Sequence, residues 1–119
     1  MSLAGKVGLI TGGTGALGRA VTAAFVQAGA SAAVTYIVDQ EVPECKACLG
    51  ARADTPVFLK ADVTVENQVQ ELVKKIVGRL GRIDILLHLV GGYVGELPVA
   101  GLPEATWDHM LNLNLKSAF

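Results

Sequence analysis

The sequence predicts an α/β fold in which helices flank a doubly wound parallel sheet of about four strands. Short apolar runs alternate with segments of helical periodicity, as in repeated strand–helix–strand units. The 119 residues are 51% hydrophobic but only 5% aromatic, so the core consists mainly of Val, Leu, Ile and Ala. This composition is typical of a parallel sheet that is covered on both faces.

Each strand is predicted from an apolar or β-branched run bounded by glycine, proline or charged residues. The runs cover residues 5–10, 32–38, 57–61 and 83–90. Because helical segments separate them, the strands should be parallel, with right-handed crossovers.

The first two helices are predicted over residues 19–28 and 41–49. The first has an apolar face that begins with Leu17, and Gly29 follows it as a helix-terminating glycine. The second helix tolerates Pro43 because that residue falls in its first turn.

The third helix begins after Thr64, which is the predicted N-cap. Its apolar residues recur at helical spacing as far as Leu80, in the clearest helical stripe of the chain. A fourth helix is predicted over residues 103–119.

A glycine-rich turn joins the first strand to the first helix, with Gly12, Gly15 and Gly18 spaced G-x-x-G-x-x-G. The first glycine would allow the tight turn, the second would let a pyrophosphate approach the backbone, and the third would let helix and strand pack closely. The helix N-terminus would offer N–H groups and a positive dipole end to phosphates. The pattern favours a Rossmann-type dinucleotide site, although a structural tight turn has the same signature.

A nucleoside-triphosphate P-loop does not fit this turn. Gly13 and Gly18 have the right separation, but Arg19 and Ala20 stand where Lys and Ser/Thr are needed. Without those side chains, neither the terminal phosphates nor Mg²⁺ would be held.

Cys45 and Cys48 form a C-x-x-C pair in the second predicted helix. Zinc would need two more ligands, and His88 and His109 are distant in sequence. A thioredoxin-like pair would directly follow the first strand, where the glycine-rich turn lies. We therefore predict no metal site, and two free thiols that fit a reducing cytoplasm.

The charge pattern argues against two classes of partner. The formal net charge is -1, and no basic stripe is available to neutralise nucleic-acid phosphates. No apolar run reaches membrane-spanning length, and residues 1–6 do not resemble a signal peptide. We predict a cytoplasmic protein without nucleic-acid or membrane partners.

Five short motifs then occur in a characteristic order: Thr11-Gly12 to Gly18, Asp62-Val63-Thr64, Gly81-Arg82-Ile83-Asp84-Ile85-Leu86, Gly91, and Trp107 followed by Asn114-Leu115-Lys116. Together they resemble the N-terminal half of a short-chain dehydrogenase/reductase, over essentially the whole chain. The resemblance implies that residues 1–119 form an NAD(P)-binding Rossmann domain, whose sheet is an incomplete half of a larger one.

The resemblance also implies a nicotinamide dinucleotide cofactor, a small carbonyl or alcohol substrate, and a role for each motif. The turn would hold the pyrophosphate, Asp62 and Val63 would contact the adenine, and the end of the fourth strand would pass beside a ribose. Asn114, the predicted catalytic residue, would bind a water in the family's proton relay. The predicted cofactor-binding residues are Gly12, Thr14, Gly15, Ala16, Leu17, Gly18, Tyr36, Asp62, Val63, Leu89, Val90 and Gly91.

Two of these residues have structural alternatives. Asp62 could be a helix-capping carboxylate. Asn114 could be a polar residue that satisfies buried backbone groups.

The choice between NAD and NADP stays open. A carboxylate at the end of the second strand favours NAD, and a nearby Arg favours NADP. Tyr36 and Ile37 occupy that place, and Asp39 comes slightly late.

The chain departs from the family pattern in two further places. His88-Leu89-Val90-Gly91 replaces the usual Asn-Asn-Ala-Gly, so His88 would partly substitute for asparagine amides that tie neighbouring backbone. Neither Tyr36 nor Tyr93 has a Lys four residues later, so the family's catalytic Tyr-x-x-x-Lys is expected beyond residue 119. The open face and edge of the sheet would then be covered by another copy, in a homo-oligomer.

The leading hypothesis is the cofactor-binding part of an NAD(P)-dependent oxidoreductase that transfers hydride between nicotinamide and a carbonyl or alcohol. The alternative is a non-catalytic nucleotide-binding or assembly module with the same fold, because fold does not fix function. A methyltransferase-like domain is disfavoured by the Asp62-Val63-Thr64 motif.

Overall fold

The computed structural model describes residues 2–119 and contains one parallel sheet of four strands in the order β3-β2-β1-β4. The predicted α/β architecture is therefore confirmed. The strands are β1 (Val7–Thr11), β2 (Ser31–Tyr36), β3 (Val57–Lys60) and β4 (Ile85–His88).

The helices are α1 (Ala16–Gln27), α2 (Glu41–Leu49), α3 (Glu66–Leu80) and α4 (Glu104–Leu111). The predicted bounds of α2 agree with the structure. A single helix over residues 103–119 was the wrong expectation, since α4 ends at Leu111 and a π-helical turn, Asn112–Lys116, continues it.

Each face of the sheet has its own apolar core. On one face, Ile10 and Val34 pack with Phe25 of α1, and Leu49 of α2 borders this cluster. On the other face, the cluster comprises Leu9, Ala33, Ala61, Leu72 and Ile76, the last two from α3. The helices thus cover both faces, which is the doubly wound arrangement that the sequence predicts.

The second strand is shorter than predicted. It ends at Tyr36, and the side chains of Ile37 and Val38 are exposed. The backbone turns into α2 here, because Glu41 N–H donates to the carbonyl of Val38 at 3.2 Å. Two apolar residues were therefore assigned to a strand although they belong to the loop after it.

Leu17 and Thr64 also differ from their predicted helical roles. The Leu17 side chain is 66% exposed, since the buried face of α1 is formed by Gly18, Thr22, Phe25 and Val26. Thr64 is not the N-cap of α3, because its backbone N–H and its hydroxyl both donate to Asp62 Oδ1. Val65 occupies the N-cap position instead.

Strands β1 and β4 are joined by side chains at both ends. At the N-terminal end, the Asp84 carboxylate accepts a hydrogen bond from Val7 N–H at 2.9 Å, and this bond lowers the pKa of Asp84. At the C-terminal end, Thr11 Oγ1 and His88 Nδ1 lie 2.8 Å apart. The register of this strand pair is thus held where it borders the loops.

The last helix is the least buried part of the fold. Of the described residues of α4, none is buried. An apolar stripe stands exposed along α4 and beyond it, at Trp107, Leu111, Leu115 and Phe119. Within residues 2–119, no helix combines the length and the apolar character needed to cross a membrane.

Candidate functional site

The candidate site lies where the strand order reverses, at the carboxyl ends of β1 and β4. Crossovers from β1 lead through α1 to β2, whereas β4 pairs with the opposite edge of β1. In open α/β sheets, ligands bind in the crevice at this switch point. The structure brings the glycine-rich turn and the Leu89–Gly91 stretch together there, as a Cβ built on Gly12 would lie 3.3 Å from Val90 N.

The glycine-rich turn is fixed by hydrogen bonds to buried side chains. Gly12 has φ +66°, a left-handed conformation that L side chains rarely adopt, and its N–H donates to Thr35 Oγ1 at 3.1 Å. The carbonyl of Gly13 accepts from Thr22 Oγ1 at 3.0 Å and from the thiol of Cys45 at 3.7 Å. Strand β2 and helices α1 and α2 therefore hold the turn in one conformation.

Gly18 permits the close contact between α1 and the turn. A Cβ at this position would lie 2.2 Å from the carbonyl oxygen of Gly12 and 2.6 Å from the carbonyl carbon of Gly13. No side chain fits there without movement of backbone. The helix consequently starts directly against the end of β1, as the G-x-x-G-x-x-G spacing predicts.

The N-terminus of α1 is available for an anion. Gly15 is the N-cap, with φ -64° and ψ 177°, and in the described chain no side chain caps this end or places a carboxylate in its first turn. The first N–H groups of a helix lack intrahelical partners, and they carry the positive end of the dipole. Ala16 and Leu17 are exposed beside them, so this end of the helix is open to solvent.

Asn114 faces the exit of β4 from the π-helical turn. Its Oδ1 accepts from Gly92 N–H at 3.0 Å, and its Nδ2 donates to the carbonyls of Gly92 and Met110 at 3.0 and 2.9 Å. A Cβ on Gly91 would come within 2.8 Å of Asn114 Oδ1. The amide therefore satisfies backbone groups and at the same time borders the predicted ribose-binding stretch.

Asp62 and Tyr36 meet at the carboxyl ends of β3 and β2. Ala61 N–H donates to the carbonyl of Tyr36 at 3.1 Å, which places Asp62 beside the end of β2. Asp62 Oδ1 accepts from the Thr64 hydroxyl at 2.6 Å and from Thr64 N–H at 2.9 Å, and these bonds lower the pKa of Asp62. The carboxylate is exposed and charged, whereas Val63 is buried behind it.

Glu41 is a residue of this site that the sequence analysis missed. The buried Thr14 donates its hydroxyl to Glu41 Oε2 at 2.6 Å, so the first residue of α2 adds a carboxylate beside the turn. The nearby cations are paired with acids, Arg19 with Glu44 and Lys60 with Asp39, both at 2.6 Å. Glu41 follows the end of β2 by five residues, a spacing that no common fingerprint records.

His88 forms hydrogen bonds to two side chains and not to the neighbouring backbone groups that the family resemblance suggested. Its Nδ1 lies 2.8 Å from Thr11 Oγ1 and its Nε2 lies 3.0 Å from Ser117 Oγ. Burial lowers the pKa of His88. The imidazole thus joins β1, β4 and the end of the last helix.

Comparison with known proteins decides the family. The sequence model of the short chain dehydrogenase family matches residues 6–119 of the chain. The chain belongs to this family. Family membership extends across every element of the candidate site.

Individual relatives agree with this assignment. Over 113 residues the chain is 38% identical to the short chain dehydrogenase/reductase dpchG of Colletotrichum higginsianum. The aligned region covers 95% of this chain and 42% of dpchG. The chain is 36% identical over 123 residues to 3-oxoacyl-acyl-carrier-protein reductase FabG of Thermotoga maritima, covering 100% of this chain and 48% of that one.

A solved structure of a double mutant of a Serratia marcescens short-chain dehydrogenase/reductase superposes with a TM-score of 0.90 at 27% identity. The match covers 100% of this chain and 49% of the Serratia protein. The chain therefore spans about half the length of this structure and of the two curated relatives, and its sheet corresponds to that part of the family fold.

Proposed function

We propose that the chain is the nicotinamide-dinucleotide-binding part of an NAD(P)-dependent oxidoreductase. The observation that carries the proposal is the meeting of the Gly12–Gly18 turn and the Leu89–Gly91 stretch at the switch point of the sheet, beside the open N-terminus of α1. The residues fit such a ligand, since the Gly18 contact leaves the first helical turn against β1 and available to a pyrophosphate.

The proposed roles follow the geometry of the site. The N–H groups at the start of α1 would bind the pyrophosphate, and the exposed, charged Asp62 would accept from the adenine amine beside Tyr36 and Val63. Leu89, Val90 and Gly91 would form the wall next to the nicotinamide ribose. Asn114 borders that wall through Gly92, where it would orient a water in the proton path.

When bound, the nicotinamide supplies a hydride that passes to or from a carbonyl or alcohol substrate. We propose this reaction for the whole protein, together with a cytoplasmic location and a homo-oligomeric assembly. The free thiols of Cys45 and Cys48 support the reducing compartment. The exposed stripe from Trp107 to Phe119 supports association between copies.

The carboxylate of Glu41 favours a dinucleotide without a 2′-phosphate. It lies on the Thr14 side of the turn, and Lys60 and Arg19 are already paired with acids. An added phosphate would meet this carboxylate without a free cation to compensate. We therefore expect NADH to bind more tightly than NADPH. The Glu41→Gln substitution should reduce the difference between the two affinities.

The test is a titration of the purified chain with NADH and NADPH, followed by nicotinamide fluorescence. Gly15→Asp is the most informative variant, because a Cβ there meets only an ordinary contact of 3.5 Å with the Gly12 carbonyl, and Asp is a favoured N-cap. The variant should fold, yet its carboxylate would repel the pyrophosphate and weaken binding by about tenfold or more.

Gly78→Ala is the matched control, since a Cβ at that position in α3 meets nothing within 4 Å. It should bind the nucleotide as the wild type does. Equal, unsaturable fluorescence changes for the wild type and Gly15→Asp would refute the proposed nucleotide site.

A further inference from the structure

A chain of hydrogen bonds runs through His88 from strand β1 to the last helix. The half-buried imidazole contacts Thr11 Oγ1 through Nδ1, at 2.8 Å, and Ser117 Oγ through Nε2, at 3.0 Å. Thr11 and His88 are paired residues in the β1–β4 register, whereas Ser117 directly follows the π-helical turn. One side chain thus bridges two strands and a helix.

The neighbouring groups determine which imidazole nitrogen carries the proton. Ser117 Oγ donates its proton to the carbonyl of Leu113, so it can only accept from His88 Nε2–H. Thr11 Oγ1 accepts from Leu89 N–H at 3.3 Å, and its own proton is free to donate to Nδ1. All the donors and acceptors are matched when His88 is neutral with its proton on Nε2.

Ser117 and Asn114 belong to the same short helical segment, three residues apart. Asn114 is bonded to both backbone groups of Gly92, four residues beyond His88. The segment is therefore attached to the exit of β4 at two neighbouring points, by Asn114 to Gly92 and by Ser117 to His88. If one of these two attachments is lost, only the other holds the end of this helix, which is otherwise exposed.

We propose that His88, as its neutral Nε2–H tautomer, is a positioning residue: it holds Ser117 and thereby fixes the Asn114 amide against Gly91 and Gly92. Asn114 touches the proposed ribose-binding stretch, so the importance of this placement rests on the proposed function. The hydrogen-bond chain itself is a property of the protein without nucleotide.

The first experiment determines the tautomer by ¹⁵N chemical shifts of the imidazole in the full chain at pH 7.5. His109→Gln leaves His88 as the single histidine, and the exposed position of His109 makes this change local. We expect Nε2 to show the shift of a protonated nitrogen and Nδ1 that of an acceptor. A proton on Nδ1, or rapid averaging of the two forms, would overturn the proposal.

The second experiment separates the two ends of the imidazole. Asparagine places its amide oxygen at the position of Nδ1 and cannot reach Ser117, whereas glutamine places its amide nitrogen at the position of Nε2 and can donate to Ser117. We expect His88→Asn to accelerate hydrogen exchange of the Asn114 side-chain amide and of Gly92 N–H by about fivefold, the loss of one net hydrogen bond. His88→Gln should leave both exchange rates near the wild-type values.

Lys116→Ala is the control variant, because Lys116 neighbours Ser117 but is exposed with Asp108 and Phe119 on the open side of the segment. It should leave the exchange rates unchanged. Should His88→Asn not fold, Ser117→Ala removes the same bond from the helix side and should release Asn114 in the same way. Equal exchange in His88→Asn, His88→Gln and the wild type would show that His88 does not position Asn114.

These measurements use the chain without nucleotide, so they stand apart from the proposed function. Fast exchange in His88→Asn together with unaltered NADH affinity would support the positioning role and count against a part for Asn114 in binding. The absence of NADH binding by the wild type would refute the proposed nucleotide site and leave the hydrogen-exchange result intact.

Discussion

The two walls of the candidate site are built by different means. The wall at the end of β1 is a backbone structure, in which glycines allow close contact and buried Thr22, Thr35 and Cys45 hold the turn. The wall at the end of β4 is joined to an exposed helix by the side chains of His88 and Asn114. Added side-chain volume should therefore destabilise the first wall, whereas altered hydrogen bonding should destabilise the second.

The largest effect is expected for Gly18→Ala, which tests the backbone wall. Its Cβ would lie 2.2 Å from the Gly12 carbonyl, so α1 must move away from β1. We expect a loss of about 3 kcal/mol in the free energy of unfolding, measured with urea, because overpacking against backbone has no flexible neighbour to yield.

Gly78→Ala is the control for that substitution. It adds the same methyl group to a helix interior with nothing within 4 Å, and should stabilise the chain by about 0.5–1 kcal/mol. Similar unfolding midpoints for both variants would contradict a close-packed turn.

A smaller effect is expected for Gly91→Ala, which tests the second wall. The new Cβ would approach Asn114 Oδ1 to 2.8 Å and displace an exposed amide that is able to move. We expect a loss of about 1 kcal/mol, equivalent to one net hydrogen bond, and a change in the Asn114 side-chain amide signals. Gly101→Ala, with open space around its Cβ, should alter neither quantity.

The His88 connection should make stability depend on pH. Burial lowers its pKa below the usual 6.5, so the folded state binds the proton less readily than the unfolded state. The stabilisation is present above pH 6.5 and decreases as the pH falls below that value through the lowered pKa of the folded state. Urea unfolding at pH 7.5 and 5.5 should show a larger loss for the wild type than for His88→Gln; equal losses would argue against a neutral imidazole.

The smallest effect is expected at the opposite end of the same strand pair. The bond from Val7 N–H lowers the pKa of the Asp84 carboxyl below its usual 3.8. Its contribution is present above pH 3.8 and is lost as the pH falls further. Asp84→Asn keeps a hydrogen-bond acceptor but does not titrate, so the wild type should lose a larger share of its neutral-pH stability on acidification. With each protein's stability at neutral pH as the reference, acid unfolding followed by circular dichroism should begin at a higher pH in the wild type than in Asp84→Asn.

The backbone wall was largely predictable from the sequence. Glycine spacing reflects local steric limits, so Gly12 and Gly18 alone indicate how the turn is built. Leu17 was misplaced because a helical pattern does not tell a core position from a solvent-exposed one in the first turn. Thr64 was misplaced because its hydroxyl donates to Asp62 Oδ1 in a local side-chain turn, and among the described residues no side chain caps α3.

The second wall was less predictable because its contacts join distant residues. His88 and Ser117 are 29 residues apart and fit no local motif. The resemblance drew attention to Asn114 and to the altered strand end at His88, but the partner of each side chain depends on where the helix docks. Glu41 is similar, since its contact with Thr14 spans 27 residues.

The π-helical turn at Asn112–Lys116 is equivalent to one amino acid inserted into an otherwise regular helix. Each residue of an α-helix adds about 100° of rotation, so the side chains beyond the wide turn are rotated by that angle relative to an uninterrupted helix. A regular α-helix through the same residues would therefore carry Ser117 away from His88, whereas deletion of the exposed Leu115 would remove the extra residue and leave Ser117 in place. At this helix, the number of residues governs the alignment of the site as much as their chemistry does.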